Sequence, residues 1–159
     1  MELASRLVER CVACGVTLAT AESCTGGMVA ARITAVSGAS AVFLGGIVSY
    51  ANAAKMTLLG VPEPVLEQAG AVSERCAAAM ADGARRRLGT DLAVSVTGIA
   101  GPTGGTPEKP VGLVCFGVAA ADGVRTGHKI FAGDRDAVRL QATEHALALL
   151  LDAVNQREV

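Results

Sequence analysis

Residues 16–36 read VTLATAESCTGGMVAARITAV. The opening VTLATAE is short, apolar and rich in β-formers, which predicts a strand; Met28 to Val36 predicts a helix. Between them lie Glu22, Ser23, Cys24, Thr25, Gly26 and Gly27. A plain strand-to-helix turn needs one capping residue and one glycine. A carboxylate, two hydroxyls and a thiol at one helix start exceed that need, and the surplus is the first sign of chemistry.

Working outward, the same alternation recurs. Leu3, Leu7 and Cys11 at helical spacing predict an opening helix that stops at Gly15. AVFLGGIVSY (41–50) predicts a second strand, with Gly45 and Gly46 marking a bulge or a close backbone approach. Three helices should follow: NAAKMTLLG (52–60) capped by Asn52, PEPVLEQAG (62–70), and SERCAAAMADGARRRLG (73–89) capped by Ser73. DLAVSVTGIA (91–100) predicts a third strand, and LVCFGVAA with RTGHKIFAG predict a hairpin joined at ADG (121–123). DRDAVRLQATEHALALLLDAV (134–154) predicts the closing helix. Alternating β and α segments followed by a local β-pair predict one domain over residues 1–159, an α/β/α three-layer sandwich on a mixed sheet.

Composition fits a chain of that kind. At 159 residues it is long enough to bury roughly 70% of its unfolded surface. Half of the residues are hydrophobic but only 3% are aromatic, so the core must be built from Ala, Val, Leu and Ile. A net charge of -1 gives no electrostatic case for nucleic acid or anionic membranes as partners. Residues 33–54 carry no charge, yet glycines, serines and Asn52 interrupt them and no cationic flank frames them, so a membrane span is not expected. Five cysteines, an odd number, predict reduced thiols and a cytoplasmic location, and Cys11 and Cys14 form a C-x-x-C without the context of a redox or zinc site. Acids and histidines never cluster at ligand spacing, so no metal is implied.

Three places carry candidate chemistry. Ser23 can cap the helix or act as a nucleophile whose oxyanion is held by amides near Gly26 and Gly27, a donor being worth roughly 3–4 kcal/mol; Thr25 could take over the capping. A nucleophilic serine needs a base. Neither His128 nor His145 lies by a glycine turn, which leaves the three lysines, and Lys55 sits among Ala, Met, Leu and Tyr50. Burial would depress its pKa, but bringing it from about 10.4 to about 7–8 needs roughly 4 kcal/mol of desolvation, which a solvated helix face cannot supply. TGIAGPTGGTPEKPVG (97–112) carries five glycines without a dinucleotide or Walker fingerprint; it is a turn-rich loop or a place where backbone amides approach a phosphate. Arg135 and Arg139 share a helix face, where they could clamp a phosphate or pair with Asp134 and Asp136.

Taken in order and spacing, AESCTGG, GGIVSYANAAKMTLLGV, GAVSERCAAAMADGARRRLG and VTGIAGPTGGTPEKPVG resemble the CinA C-terminal domain family, the nicotinamide-nucleotide amidohydrolases. The resemblance runs from about Leu3 to the last helix and implies a stand-alone member without the N-terminal nucleotide-binding domain of longer relatives. It implies conversion of nicotinamide mononucleotide to nicotinate mononucleotide and ammonia, with Ser23 as nucleophile, Lys55 as general base and Tyr50 as an assisting hydroxyl. No cofactor or metal is expected in that scheme. Thr25, Gly26 and Gly27, the loop residues Thr97, Gly98, Gly101, Gly104 and Gly105, and Arg135 and Arg139 would hold the substrate. A cysteine amidase using Cys24 and a non-catalytic nucleotide-binding domain are the rival readings. A compact Ala/Gly-rich chain with few charges adds the expectation of a homodimer or higher homo-oligomer.

Overall fold

The computed structural model describes residues 2–157; Met1 and residues 158–159, which the predicted domain includes, lie outside the described residues. Eleven main elements follow in order: α1 (Glu2–Cys14), β1 (Leu18–Glu22), α2 (Met28–Thr34), β2 (Phe43–Val48), α3 (Asn52–Leu59), α4 (Glu63–Gln68), α5 (Glu74–Leu88), β3 (Leu92–Gly98), β4 (Leu113–Ala120), β5 (Gly123–Ile130) and α6 (Arg135–Gln156), with a 3-10 turn at Ala39–Ala41. The strands form one sheet in the order β2-β1-β3-β4-β5. β1 runs parallel to both β2 and β3, and β3, β4 and β5 are successively antiparallel. This is the three-layer sandwich on a mixed sheet that the alternation predicts.

The two faces of the sheet are dressed differently. Leu18, Val94, Val96, Val114 and Phe116 point into a large core closed by α1, α2 and α6. The opposite face presents Ala19, Ala21 and Ala93 to α5, with α3 and α4 beyond it. Small residues let α5 sit close. Ser95 Oγ donates to the Ala77 carbonyl at 2.5 Å, and a methyl on Gly117 would lie 2.7 Å from that same oxygen. On the outer side of α5 the approach is tighter still, since a methyl on Gly83 would overlap the Leu59 carbonyl of α3. A core short of aromatics thus follows from a layer spacing that leaves no room for them.

Local details correct several expectations. β1 starts at Leu18, two residues later than predicted, and α2 ends at Thr34. The register between β1 and β2 slips at Phe43/Gly45, which is the bulge that the Gly45-Gly46 pair suggested. Ser73 caps α5 as expected, its Oγ accepting from Cys76 N at 3.0 Å. Asn52 does not cap α3: it is the first helical residue, and the cap position falls on Ala51, which makes no side-chain bond.

Nor does Thr25 cap α2. The cap position is Gly27, with φ of 106°, and it offers no side chain. The orphan amides of the first turn go instead to Glu22, the last residue of β1, whose carboxylate accepts from Val29 N at 2.9 Å and Ala30 N at 3.1 Å. Thr25 Oγ1 donates to the same carboxylate at 2.6 Å. A buried acid at a helix N-terminus with three donors is stabilised by those bonds and by the helix dipole together. It ties strand to helix and fixes the turn between them.

Two stability measurements check these contacts. Gly83→Ala is expected to cost about 1–3 kcal/mol by overpacking, a loss of a few degrees in Tm, whereas Gly127→Ala, with nothing within 4 Å of the added methyl, leaves Tm unchanged or slightly higher. Glu22→Gln places an amide donor where N–H groups already point and is expected to lower stability by about 1–3 kcal/mol in urea melts. A wild-type midpoint in Glu22→Gln would show that the carboxylate is not what holds the turn.

Candidate active site

The three parallel strands end at the same edge of the sheet. β1 delivers Ser23, β2 delivers Ser49 and Tyr50, and β3 delivers the 99–112 loop. From β1 the chain leaves toward the α2 layer, and from β2 toward the α3–α5 layer. Crossovers departing to opposite faces open a crevice at the strand ends, the usual place for a site in such sheets.

Lys55 stands in that crevice. It is 1% exposed, and its Nζ lies 3.0 Å from Ser23 Oγ, 2.8 Å from the Ser49 carbonyl and 3.1 Å from the Tyr50 carbonyl. Its environment decides the amine's charge state. Burial pushes its pKa below 10.5, against a smaller upward pull from the Cys76 and Cys24 thiols, and no carboxylate is bonded to the amine. A neutral amine has two N–H groups and one lone pair. Two carbonyls take the N–H groups, and the lone pair is left for the Ser23 hydroxyl. The protonated form would donate all three bonds. Both states are satisfied, which is what a group that exchanges a proton requires.

The turn before α2 supplies further groups. Ser23 N–H is bonded to the Val96 carbonyl, which seats the turn on β3. Gly26 N–H is taken by the Ser23 carbonyl at 3.0 Å, so it cannot serve an oxyanion as the sequence suggested. The amides of Thr25 and Gly27 have no partner among the described residues. Arg139 braces the turn from α6, donating from Nε to the Cys24 carbonyl at 3.0 Å and from Nη2 to the Thr25 carbonyl at 3.4 Å.

Arg135, one turn earlier on α6, donates to the Gly101 carbonyl at 2.8 Å and to the Tyr50 hydroxyl at 3.0 Å. The two arginines therefore do not pair with Asp134 and Asp136; Asp134 instead caps α6 through Ala137 N at 2.9 Å. Tyr50 is 62% exposed, and its hydroxyl turns to Arg135 rather than to Lys55. Only its backbone carbonyl touches the amine, so the expected hydroxyl relay has no geometry here.

The glycine loop is divided. Gly101 reaches the site rim through Arg135. Thr97 is buried with its hydroxyl donated to the Ala71 carbonyl at 2.8 Å, and Gly98 packs against Val114. Gly104 and Gly105 are exposed, lie beside Ile99 and Val111, and make no contact with Ser23 or Lys55 among the described residues. Cys24 is buried next to the serine, and its thiol is pushed up to about 12, chiefly by burial. His128 bonds Glu74 at 2.8 Å and His145 packs on Phe116, so neither histidine reaches the serine. Glu22 and the Ser49 carbonyl are the participants that sequence reading missed. The run E-S-C-T-G-G did place the acid beside the turn, but no spacing rule announces a backbone carbonyl.

Among the described residues no group of three His, Cys, Asp or Glu converges as a metal site would require, and no helix is long and apolar enough to cross a membrane. A cavity of about 720 Å³ lies elsewhere, between α6 and the β4–β5 hairpin.

Known proteins share this fold and much of this sequence. A CinA-like protein of Anaeromyxobacter dehalogenans is 56% identical over 149 residues, covering 94% of this chain but 36% of that protein. The crystal structure of competence/damage inducible protein CihA from Agrobacterium tumefaciens superposes with a TM-score of 0.93 at 44% identity, over 98% of this chain and 94% of that one. A CinA superfamily protein from Escherichia coli superposes with a TM-score of 0.91 at 39% identity, over 95% of this chain and 88% of that one. The chain thus spans about a third of the length of the curated relatives it matches. With the CinA C-terminal domain model matching residues 1–154, strand ends, serine turn and buried lysine included, the chain belongs to the CinA C-terminal domain family.

Proposed function

We propose that the protein is a serine–lysine amidohydrolase that converts nicotinamide mononucleotide to nicotinate mononucleotide and ammonia. The observation that carries this reading is the buried Lys55 amine, held by two backbone carbonyls with its nitrogen 3.0 Å from Ser23 Oγ. The carboxamide substrate comes from the family resemblance; the geometry supplies the means to hydrolyse an amide.

Neutral Lys55 takes the Ser23 proton while Oγ attacks the carboxamide carbon, and the amides of Thr25 and Gly27 face the oxyanion that forms. Lys55, now protonated, gives that proton to the amine as the C–N bond breaks and ammonia leaves. Water attacks the acyl-serine, Lys55 accepts one of its protons and returns it to Ser23 Oγ, and the carboxylic acid product departs as the carboxylate, its remaining acidic proton passing to solvent or to the released ammonia. Arg135, Arg139 and Gly101 form the rim where the nucleotide's ribose and phosphate would be held, the guanidinium groups releasing the backbone carbonyls or dividing their N–H donors between carbonyl and phosphate. The buried Cys24 thiol, with its raised pKa, is a poor nucleophile at neutral pH, which favours serine over the neighbouring cysteine.

Ammonia release from nicotinamide mononucleotide tests the reading. Ser23→Ala and Lys55→Met are each expected to reduce kcat/KM by about 10³-fold or more, and Cys24→Ala to stay within a few-fold of wild type. Loss of turnover in the cysteine variant alone would overturn the serine scheme, and saturable binding without ammonia release would assign the domain to nucleotide binding. The base acts unprotonated, so kcat/KM should rise with pH through the pKa of Lys55 and level off above it. Because burial lowers that pKa, the plateau should begin below the 10.5 of a free lysine. A rate still climbing through pH 10.5 would mean that the amine is not held in its neutral form.

A further inference from the structure

The cavity of about 720 Å³ noted above falls within the usual size of a small-molecule site, and the chemistry described so far makes no use of it. Its walls follow from two periodicities. On α6, His145, Leu149, Asp152 and Gln156 form one helical stripe. On β5, pairing places Lys129 opposite Val114, Gly127 opposite Phe116 and Arg125 opposite Val118, so these three face the α6 layer with the buried side chains of β4. The middle of that strand is bare. A methyl on Gly127 would have nothing within 4 Å, and glycine inside a strand often marks the close approach of a ligand.

The two ends of the cavity differ. At one, Arg125 donates to the Gln156 side chain at 2.7 Å, with Asp152 on the same helix stripe. At the other stand Lys129 and His145. The imidazole is fixed edge-on to Phe116, ring centres 4.6 Å apart, and to Phe131 at 6.2 Å. Neither ring nitrogen has a hydrogen-bond partner among the described residues, and Lys129 has no ion pair among them. Burial, and then the Lys129 charge, hold the imidazole below its ordinary pKa against an opposing pull from Asp152, so at neutral pH it keeps one donor and one acceptor. A positioned imidazole beside an uncommitted ammonium suits an anion, while Val118, Leu149 and the bare backbone of Gly127 suit a flat apolar body.

We infer that this cavity is a second ligand site, separate from Ser23 and Lys55, which takes a small aromatic carboxylate with its anion between Lys129 and His145 and its ring over Gly127. Benzoate is the probe, and benzamide its uncharged counterpart. Calorimetric titration of the intact protein should show saturable benzoate binding, with benzamide weaker by at least about tenfold. Lys129→Ala and Gly127→Leu, the second filling the space above the strand, should each weaken benzoate at least about tenfold while ammonia release stays at the wild-type rate. Ser23→Ala should bind benzoate as wild type does. Absence of saturable binding, equal affinity for benzamide, or wild-type affinity in Lys129→Ala would each overturn the assignment. So would weakened binding in Ser23→Ala, which would place the probe in the crevice. Lys129→Ala, on an exposed strand position, keeps the test decisive if Gly127→Leu fails to fold.

Discussion

An amine enclosed by protein and bonded to no carboxylate is costly to keep charged, and the fold around Lys55 is arranged so that it need not be. Two strand ends converge to supply its three neighbours: a hydroxyl from the turn after β1 and two backbone carbonyls from the end of β2. Carbonyl oxygens solvate an amine without fixing its charge as a carboxylate would. A surface lysine would stay protonated, and one paired with an acid would be held protonated more firmly still. Desolvation with neutral acceptors is the arrangement that leaves a lone pair available near a hydroxyl.

The serine's position depends in turn on Glu22. A helix start usually draws its cap from the residue just before it, which is why Ser23 and Thr25 invited that reading. Here the cap comes from the strand behind, and both hydroxyls are released from the task. Thr25 is spent on the carboxylate, and Ser23 is free to face the amine. Arg139 closes the arrangement from α6 by holding the carbonyls of the same turn, so three layers of the sandwich meet at one short loop.

Much of this was legible in the residues, for identifiable reasons. Apolar patterning and turn residues gave the element order, and ADG at 121–123 gave the hairpin, because those features are local. Ser73 at the start of α5 was readable for the same reason. The errors lie where an observed contact or helix boundary overrides a local preference. Asn52 and Thr25 look like caps and are not; Arg135 and Arg139 sit beside aspartates yet reach across to carbonyls of other segments. Tyr50 lies beside Lys55, but its main chain rather than its hydroxyl meets the lysine, and main-chain contacts leave no mark in residue type. Cavities between a helix stripe and a strand are equally invisible until the two are aligned.

The close seating of α5 carries one more consequence. Lys55 belongs to α3, and α3 rests its last carbonyl on the vacant side of Gly83, a residue on a different helix. The reach of the amine toward the serine is therefore set partly by an atom that is missing from the neighbouring layer. A change at that distant point would act as a wedge, shifting the Lys55 amine relative to Ser23. The seat of the amine thus depends on an empty space as strictly as on any side chain.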